Sequence, residues 1–467
     1  MTGQGHYEKT LLALLLLTAR VFTVASTPPS TVNDGPLFLT PLLDRGEVLK
    51  AQARSRVSSS ETFIPCSHAG FITVDKQLGN HLFFWFFPSL VNDSAPLLLW
   101  LNGGPGASSM FGLLWENGPI EVKHSITGIN ITSRAHTWVG AFSVVYVDNP
   151  VGVGYSYSEQ GVAGYRVTQD GYTNDLYSFV LQFFELFPEY KTRGFYISGQ
   201  SYAGKYGPAL GHRIHQHKHN TEIPLRGLIL GAPLFDPVRQ CAAYFTYLYG
   251  LGVISKADMV IYQDELNDFF KQYQNGNLPK VTMLDVLHKA VRMQTIKLPS
   301  FDNYVNYGED APDSKTVQTV MTSHSIRSAV HVGGNRKFWA TNWGLLLMFV
   351  REFFVSTISQ LGSLMDNYKV LIYNGDYDVV VSSPMIEAGL MSTPWSKQRQ
   401  YNESRRIFWQ EGGRLKGFYS QTGQFCRVVV HGAGHQTPYD APEVTLEMVT
   451  HFLQYGCITP GADLTVA

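Results

Sequence analysis

Residues 194–206 read GFYISGQSYAGKY, and the reading of this stretch decides the fold. An apolar run, Phe195-Tyr196-Ile197, passes through Ser198 and Gly199 into Gln200-Ser201-Tyr202-Ala203-Gly204. The run has the length and content of a buried strand, and a helix is predicted to begin near Tyr202. A strand that turns this sharply into a helix lifts the hydroxyl of Ser201 out of the carboxyl edge of a sheet. Small residues two before and two after it, Gly199 and Ala203, permit the strained backbone and the close helix packing such a turn needs. The pentapeptide alone is weak in a chain with 43 glycines. Its strand-before, helix-after setting is what singles it out.

Working outward, short apolar runs recur, many ending in glycine or a turn. They are HLFFWFF (81–87), PLLLWLNGG (96–104), SVVYVDNP (143–150), LRGLILG (225–231), YKVLIYNGD (368–376) and RVVVHGAGH (427–435). Runs of this length without clean alternation suit strands buried on both faces. Between them lie helical patterns: Leu176, Phe179, Val180, Phe183, Phe184 and Phe187 fall at helical spacing, and Pro188 ends that run. Alternating strand and helix predicts an α/β fold with a mostly parallel sheet. Residues 241–350 break the rhythm. Ser255-x-x-Asp258 is a capping box ahead of a helix carrying Tyr262, Leu266, Phe269, Phe270 and Tyr273, and Thr282-x-x-Asp285 opens another. This reads as a helical insertion, placed where insertions roof active sites.

A serine hydroxyl needs a base in reach, and the base needs an orienting acid. Downstream, Asp376 and Asp378 follow one predicted strand, and His431 and His435 follow the last. The order Ser, Asp, His at successive strand ends is that of an α/β-hydrolase. Upstream, WLNGGPGASSM places consecutive glycine amides after a strand, where they and the Tyr202 amide can donate to a developing oxyanion. A phosphate-binding turn is the competing reading, but the Gly-Lys-Ser/Thr ending and the G-x-G-x-x-G spacing are missing.

The rest of the chain bounds where this chemistry operates. Of 467 residues 44% are hydrophobic and 16% charged, enough apolar content for a large core. A formal net charge of −1 gives no footprint for nucleic acid. Residues 1–25 have the order of a secretory signal: Lys9, a leucine run from Leu11 to Leu17, and small residues around Val24-Ala25. The apolar run is too short to span a bilayer comfortably, so no membrane attachment is expected after cleavage. Sequons at Asn92, Asn130 and Asn402 predict glycosylation. Four cysteines, Cys66, Cys241, Cys426 and Cys457, predict at least one disulfide, its pairing left open. The expected layout is a signal over 1–25, a polar lead over 26–60, a core over 61–240 and 351–467, and the helical insertion over 241–350.

Six stretches together resemble the serine carboxypeptidase family, most of all its vitellogenic-like branch. They are WLNGGPGASSMFGLLWENGP, YVDNPVGVGYSY, SGQSYAGKYGPAL, GAPLFDP, YNGDYDVVV and GAGHQTPYDAPE. The resemblance implies an α/β-hydrolase fold: a central, mostly parallel twisted sheet flanked by helices, with a helical cap insertion. It implies release of C-terminal amino acids from peptides through an acyl-enzyme, in the secretory pathway, secreted or lysosomal, with no metal or cofactor. It implies Ser201 as nucleophile, Asp378 as the acid, His435 as the base, and the amides of Gly104 and Tyr202 as oxyanion donors. It further implies that Asn102, the Gly103 amide, Glu116 and residue 200 hold the substrate's carboxylate. Members are often proteolytically matured or homodimeric, which the sequence leaves open. Two rival readings are acyl transfer to an alcohol and a non-catalytic binding role.

The chain departs from the family at Gln200, where Glu is usual, and at Ala107, where many members have Cys. Two carboxyl groups beside a bound carboxylate must share a proton, which ties binding to acidic pH. Gln200 is expected to lift that requirement, because its amide can donate one hydrogen to Glu116 and one to the substrate.

Overall fold

The structure, a computed structural model, describes residues 35–59, 61, 63–125, 128–276, 300–305 and 313–457. Its centre is one sheet built from β1 (His68–Asp75), β2 (Asn80–Phe87), β3 (Leu97–Leu101), β6 (Ser143–Val147), β8 (Phe195–Gln200), β9 (Leu225–Gly231), β10 (Lys369–Gly375), β11 (Ile407–Glu411), β12 (Arg414–Thr422) and β13 (Phe425–Val430). A hairpin of β4 (Ile120–Ser125) and β5 (Gly128–Ser133) stands apart, and a short β7 (Tyr157–Ser158) pairs with β2. The strand order is β1-β2-β6-β3-β8-β9-β10-β13-β12-β11. The six strands from β6 to β13 run parallel, and antiparallel pairs close both edges. The apolar runs of the sequence are these strands.

Both faces of the sheet are covered, which is why the central strands need apolar residues at every position. On β3, Leu97, Leu99 and Leu101 enter one core while Leu98 and Trp100 enter the other, all fully buried. Each such leucine contributes roughly 2 kcal/mol by leaving water. Helix α1 (Gln169–Leu186) covers the first face with the predicted stripe of Leu176, Phe179, Val180, Phe183 and Phe184. The Thr168 side chain caps its N-terminus by accepting from the Gly171 amide. Helix α2 (Ala203–Gln216) follows β8 directly and packs on the same face.

The described part of 241–350 holds helices and no strand of the main sheet. Helix α3 (Lys256–Gln274) begins at the predicted capping box: Ser255 Oγ accepts from the Asp258 amide, and the Asp258 carboxylate accepts from Ser255. Tyr262, Leu266, Phe269 and Phe270 are buried in a third cluster with Phe245, Phe354 and Val379. Thr282 and Asp285 lie outside the described residues. Among the four cysteines, Cys426 and Cys457 form a disulfide, while Cys66 and Cys241 are free. That bridge ties β13 to the end of the last helix, α4 (Pro442–Tyr455). Among the described residues no helix is long and apolar enough to cross a membrane.

Candidate active site

Ser201 leaves β8 with φ at +59°, a left-handed conformation that a non-glycine residue adopts at a cost of about 1–3 kcal/mol. Neighbouring backbone holds it there. Its amide donates to the Gly231 carbonyl at 3.0 Å, and its own carbonyl accepts from the Leu234 and Gly204 amides at 2.9 Å each. The small residues do what the sequence predicts. A Cβ on Gly199 would lie 2.2 Å from the Leu101 carbonyl oxygen and 2.7 Å from Ala203 Cβ.

The glycine loop after β3 passes directly over this turn. A Cβ on Gly103 would stand 2.6 Å from Ser201 Cβ and 2.6 Å from the Tyr202 nitrogen. Gly104 follows with φ at +105°. The loop is braced from below by Asp148 at the end of β6. One Asp148 oxygen accepts from Ser108 Oγ (2.6 Å) and the Ser109 amide (3.0 Å), and the other from the Tyr155 amide (2.9 Å). Burial pushes the Asp148 pKa up to about 7 against these three donors. Asp148 lies in the YVDNP stretch at the end of that strand. The structure gives it work, as the floor of the glycine loop.

Asn102 opens that loop. Its Oδ1 accepts from Trp100 Nε1 at 2.7 Å and from the Gly112 amide at 3.1 Å, which leaves Nδ2 free to turn toward Glu116. Glu116 is fully buried at the end of the π-helical turn Gly112–Glu116. Neither of its carboxyl oxygens completes a hydrogen bond of normal geometry, and the buried Gln200 Oε1 is likewise without one. Burial drives the Glu116 pKa up to about 8, although His435, Asn102 and Arg134 favour its ionised form.

Asp378 and His435 meet where β10 and β13 end. His435 Nδ1 lies 2.8 Å from Asp378 Oδ2, while Asp378 Oδ1 accepts from the Val380 and Val381 amides at 2.7 and 2.9 Å. Asp378 is fully buried, and the His435 side chain is 8% exposed. Burial opposes charging the imidazole. The Asp378 carboxylate at Nδ1 outweighs it, with Asp302 adding to the field, and the pKa is raised. Asp376 and His431, the other members of each sequence pair, also meet, at 2.7 Å, but in the open: their side chains are 24% and 42% exposed. Burial therefore separates the two pairs.

One contributor was not legible in the sequence. Residues 300–305 run against both strand-end loops. The His435 amide donates to the Asp302 carbonyl (2.6 Å), the Val379 amide to the Phe301 carbonyl (3.1 Å), and the Tyr304 amide to the Tyr377 carbonyl (3.3 Å). Asn303 Nδ2 donates to Asp440, which also accepts from the Gly434 amide. Backbone contacts of this kind leave no side-chain signature. Among the described residues no cluster of three or more His, Cys, Asp or Glu side chains is arranged to hold a metal ion.

A strained serine at a strand-to-helix turn and a buried Asp–His pair at two later strand ends, on a largely parallel sheet, define an α/β-hydrolase. A solved architecture agrees: the prohormone-processing carboxypeptidase Kex1Δp of Saccharomyces cerevisiae superposes with a TM-score of 0.73 at 19% identity, over 88% of this chain and 98% of that one. Residues 60–455 match the family model described as serine carboxypeptidase, and the chain belongs to that family. It is 34% identical to the human protein named "Probable serine carboxypeptidase CPVL", over 97% of this chain and 98% of that protein. It is 35% identical to the venom serine carboxypeptidase of Apis mellifera, over 89% and 90%, and 31% identical to the vitellogenic carboxypeptidase of Aedes aegypti, over 89% of each. The protein is thus a serine-type carboxypeptidase, a hydrolase of peptide bonds.

Proposed function

We propose that Ser201 is the nucleophile, His435 the general base and Asp378 the orienting acid in the release of C-terminal amino acids from peptides. The observation that carries this reading is the buried Asp378–His435 pair at the same sheet edge as the strained Ser201 turn. Ser201 Oγ attacks the last peptide carbonyl as His435 takes its proton. The imidazolium then gives that proton to the departing amino acid, and water releases the acyl group by the reverse route. The Asp378 carboxylate favours the imidazolium formed midway. The Gly104 and Tyr202 amides donate to the oxyanion, and Gly103, having no side chain, leaves the Tyr202 N–H uncovered.

Asn102, the Gly103 amide, Glu116 and Gln200 hold the substrate's carboxylate. Support comes from the buried Glu116 carboxyl, whose pKa of about 8 keeps it protonated at neutral pH and so able to donate to a carboxylate. A peptide acid is therefore expected to turn over at least ~100-fold faster than the same peptide ending in an amide, as for a site built around one polar group. Equal rates, measured by amino-acid release against amide-capped cleavage, would remove the C-terminal carboxylate from the reading.

The pH dependence of that grip follows from Glu116. With its pKa at about 8, Glu116 is neutral below that pH and can sit beside a carboxylate. Above it, the ionised group repels one. Gln200 thus moves the proton requirement from acid to the alkaline side of neutrality rather than lifting it, which sharpens the expectation drawn from sequence. Glu in place of Gln200 puts two carboxyl groups together, and one ionises early. KM of Gln200→Glu is expected to climb between about pH 5 and 7 while that of the parent stays level. Superimposable KM profiles would discard this role for Gln200.

The signal-like N-terminus and the Cys426–Cys457 bridge favour the secretory pathway, with the mature chain secreted or lysosomal. Asn92, Asn130 and Asn402 are all exposed, as glycan acceptors must be. A homodimer is compatible with this reading.

A further inference from the structure

The exposed Asp376–His431 pair uses both oxygens of one carboxylate to join the two loops that carry Asp378 and His435. Asp376 Oδ2 lies 2.7 Å from His431 Nδ1, and Asp376 Oδ1 accepts from the Gly432 amide at 2.8 Å. On one side, Asp376 is two residues before Asp378 in the turn after β10. On the other, His431 and Gly432 begin the five-residue loop that ends at His435. The parallel ladder between β10 and β13 stops at Gly375 opposite Val430. Past that point two backbone bonds cross between the loops, Asp376 N–H to the Val430 carbonyl (3.1 Å) and Tyr377 N–H to the Ala433 carbonyl (2.8 Å). Between the end of the sheet and the buried pair, the Asp376 carboxylate supplies the side-chain tie.

Each partner is itself held. The Tyr247 hydroxyl donates to the Asp376 carbonyl at 3.0 Å, and the His431 amide donates to the Lys416 carbonyl of β12 at 2.9 Å. A pair anchored this way transmits position. If Asp376 lets go, the His431–His435 loop is free to drift relative to Asp378, and a shift of about 1 Å in such a pair costs on the order of 10²-fold in rate.

We infer that Asp376 and His431 are positioning residues that hold the catalytic acid and base in register. The inference rests on the reading of His435 as the base. Neither residue touches substrate in this role, so the effect belongs in kcat and not in KM.

The test uses the full-length secreted enzyme and a peptide acid substrate. Asp376→Ala and His431→Ala are each expected to lower kcat about tenfold with KM within twofold, a part of the loss a full 1 Å shift would bring. The double variant should be no worse than either single one, because one tie is being cut. Asp376→Asn should return kcat to within about twofold, since the amide oxygen can accept from Gly432 and its NH2 can donate to Nδ1 of a neutral His431. A kcat within twofold of the parent in Asp376→Ala, or losses that multiply in the double variant, would overturn the inference. So would an Asp376→Asn as impaired as the alanine variant. His435→Ala is run in parallel: if it stays active, the reading of the base fails, whereas an inactive His435→Ala beside a fully active Asp376→Ala rejects only the tie.

Discussion

Replacing Ser201 with alanine is expected to lower kcat/KM for peptide acids on the order of 10⁵- to 10⁶-fold, the loss seen when a triad nucleophile is removed. What remains comes from substrate binding and the oxyanion donors alone. The change should cost little stability. Alanine still carries a Cβ, so the left-handed backbone at φ +59° stays strained to the same degree, and the bonds to the Gly231 carbonyl and from the Leu234 and Gly204 amides involve main chain only. Loss of activity without loss of fold is therefore the expected signature. A fluorophosphonate probe, which needs the same activated hydroxyl, should label the parent and leave Ser201→Ala unlabelled, while thermal melts coincide. Labelling that survives the substitution would put the nucleophile elsewhere. A parent that neither labels nor releases amino acids would favour the non-catalytic rival.

The second large effect separates two carboxylates only two residues apart. Asp378→Asn is expected to reduce kcat by about 10⁴-fold, because an amide at this place stabilises the wrong tautomer and no longer favours the imidazolium. The Asp378 oxygens are fully committed, Oδ2 to His435 and Oδ1 to the Val380 and Val381 amides. An asparagine that keeps its oxygen on those two amides must point NH2 at His435 Nδ1. That forces the proton to Nε2, where a base needs a lone pair. Asp376→Asn, by contrast, faces a histidine that accepts either tautomer without consequence for proton transfer. A ratio near one between the two asparagine variants, from steady-state kinetics at a single pH, would mean that burial does not distinguish the pairs.

How much of this was readable in advance depended on whether a residue's job is done by its side chain. The central strands announce themselves because both faces are covered, so Leu97 through Leu101 are all apolar. The β4–β5 hairpin and edge strand β11 do not. The residues of β5 and β11 are largely exposed, and no apolar run marks either strand. Ser201, the glycine loop and the order of acid and base were legible from strand ends and spacing. Nothing in the spacing chooses between Asp378 and Asp376. Both aspartates follow the same strand, and only the turn between them decides which one is buried. Glu116 shows the converse: its place in WENGP carries no warning that burial would hold its proton to about pH 8. Phe301 and Asp302 act on the site through carbonyl oxygens, which every residue has.

That last contact has a consequence for anyone exchanging parts between relatives. The 241–350 segment is sewn to the strand-end loops along residues 301–304, with one stitch to His435 itself and others to Val379 and Tyr377. A second seam lies just past residue 350, where the buried Lys205 of the helix after Ser201 donates to the carbonyls of Glu352 and Phe353. A segment fastened from within to the His435 loop, and just past its end to the helix after Ser201, is part of the chassis. A chimera that transplants the insertion for a new substrate preference must therefore keep these two seams from the recipient, or it will acquire the donor's pocket and lose its own engine.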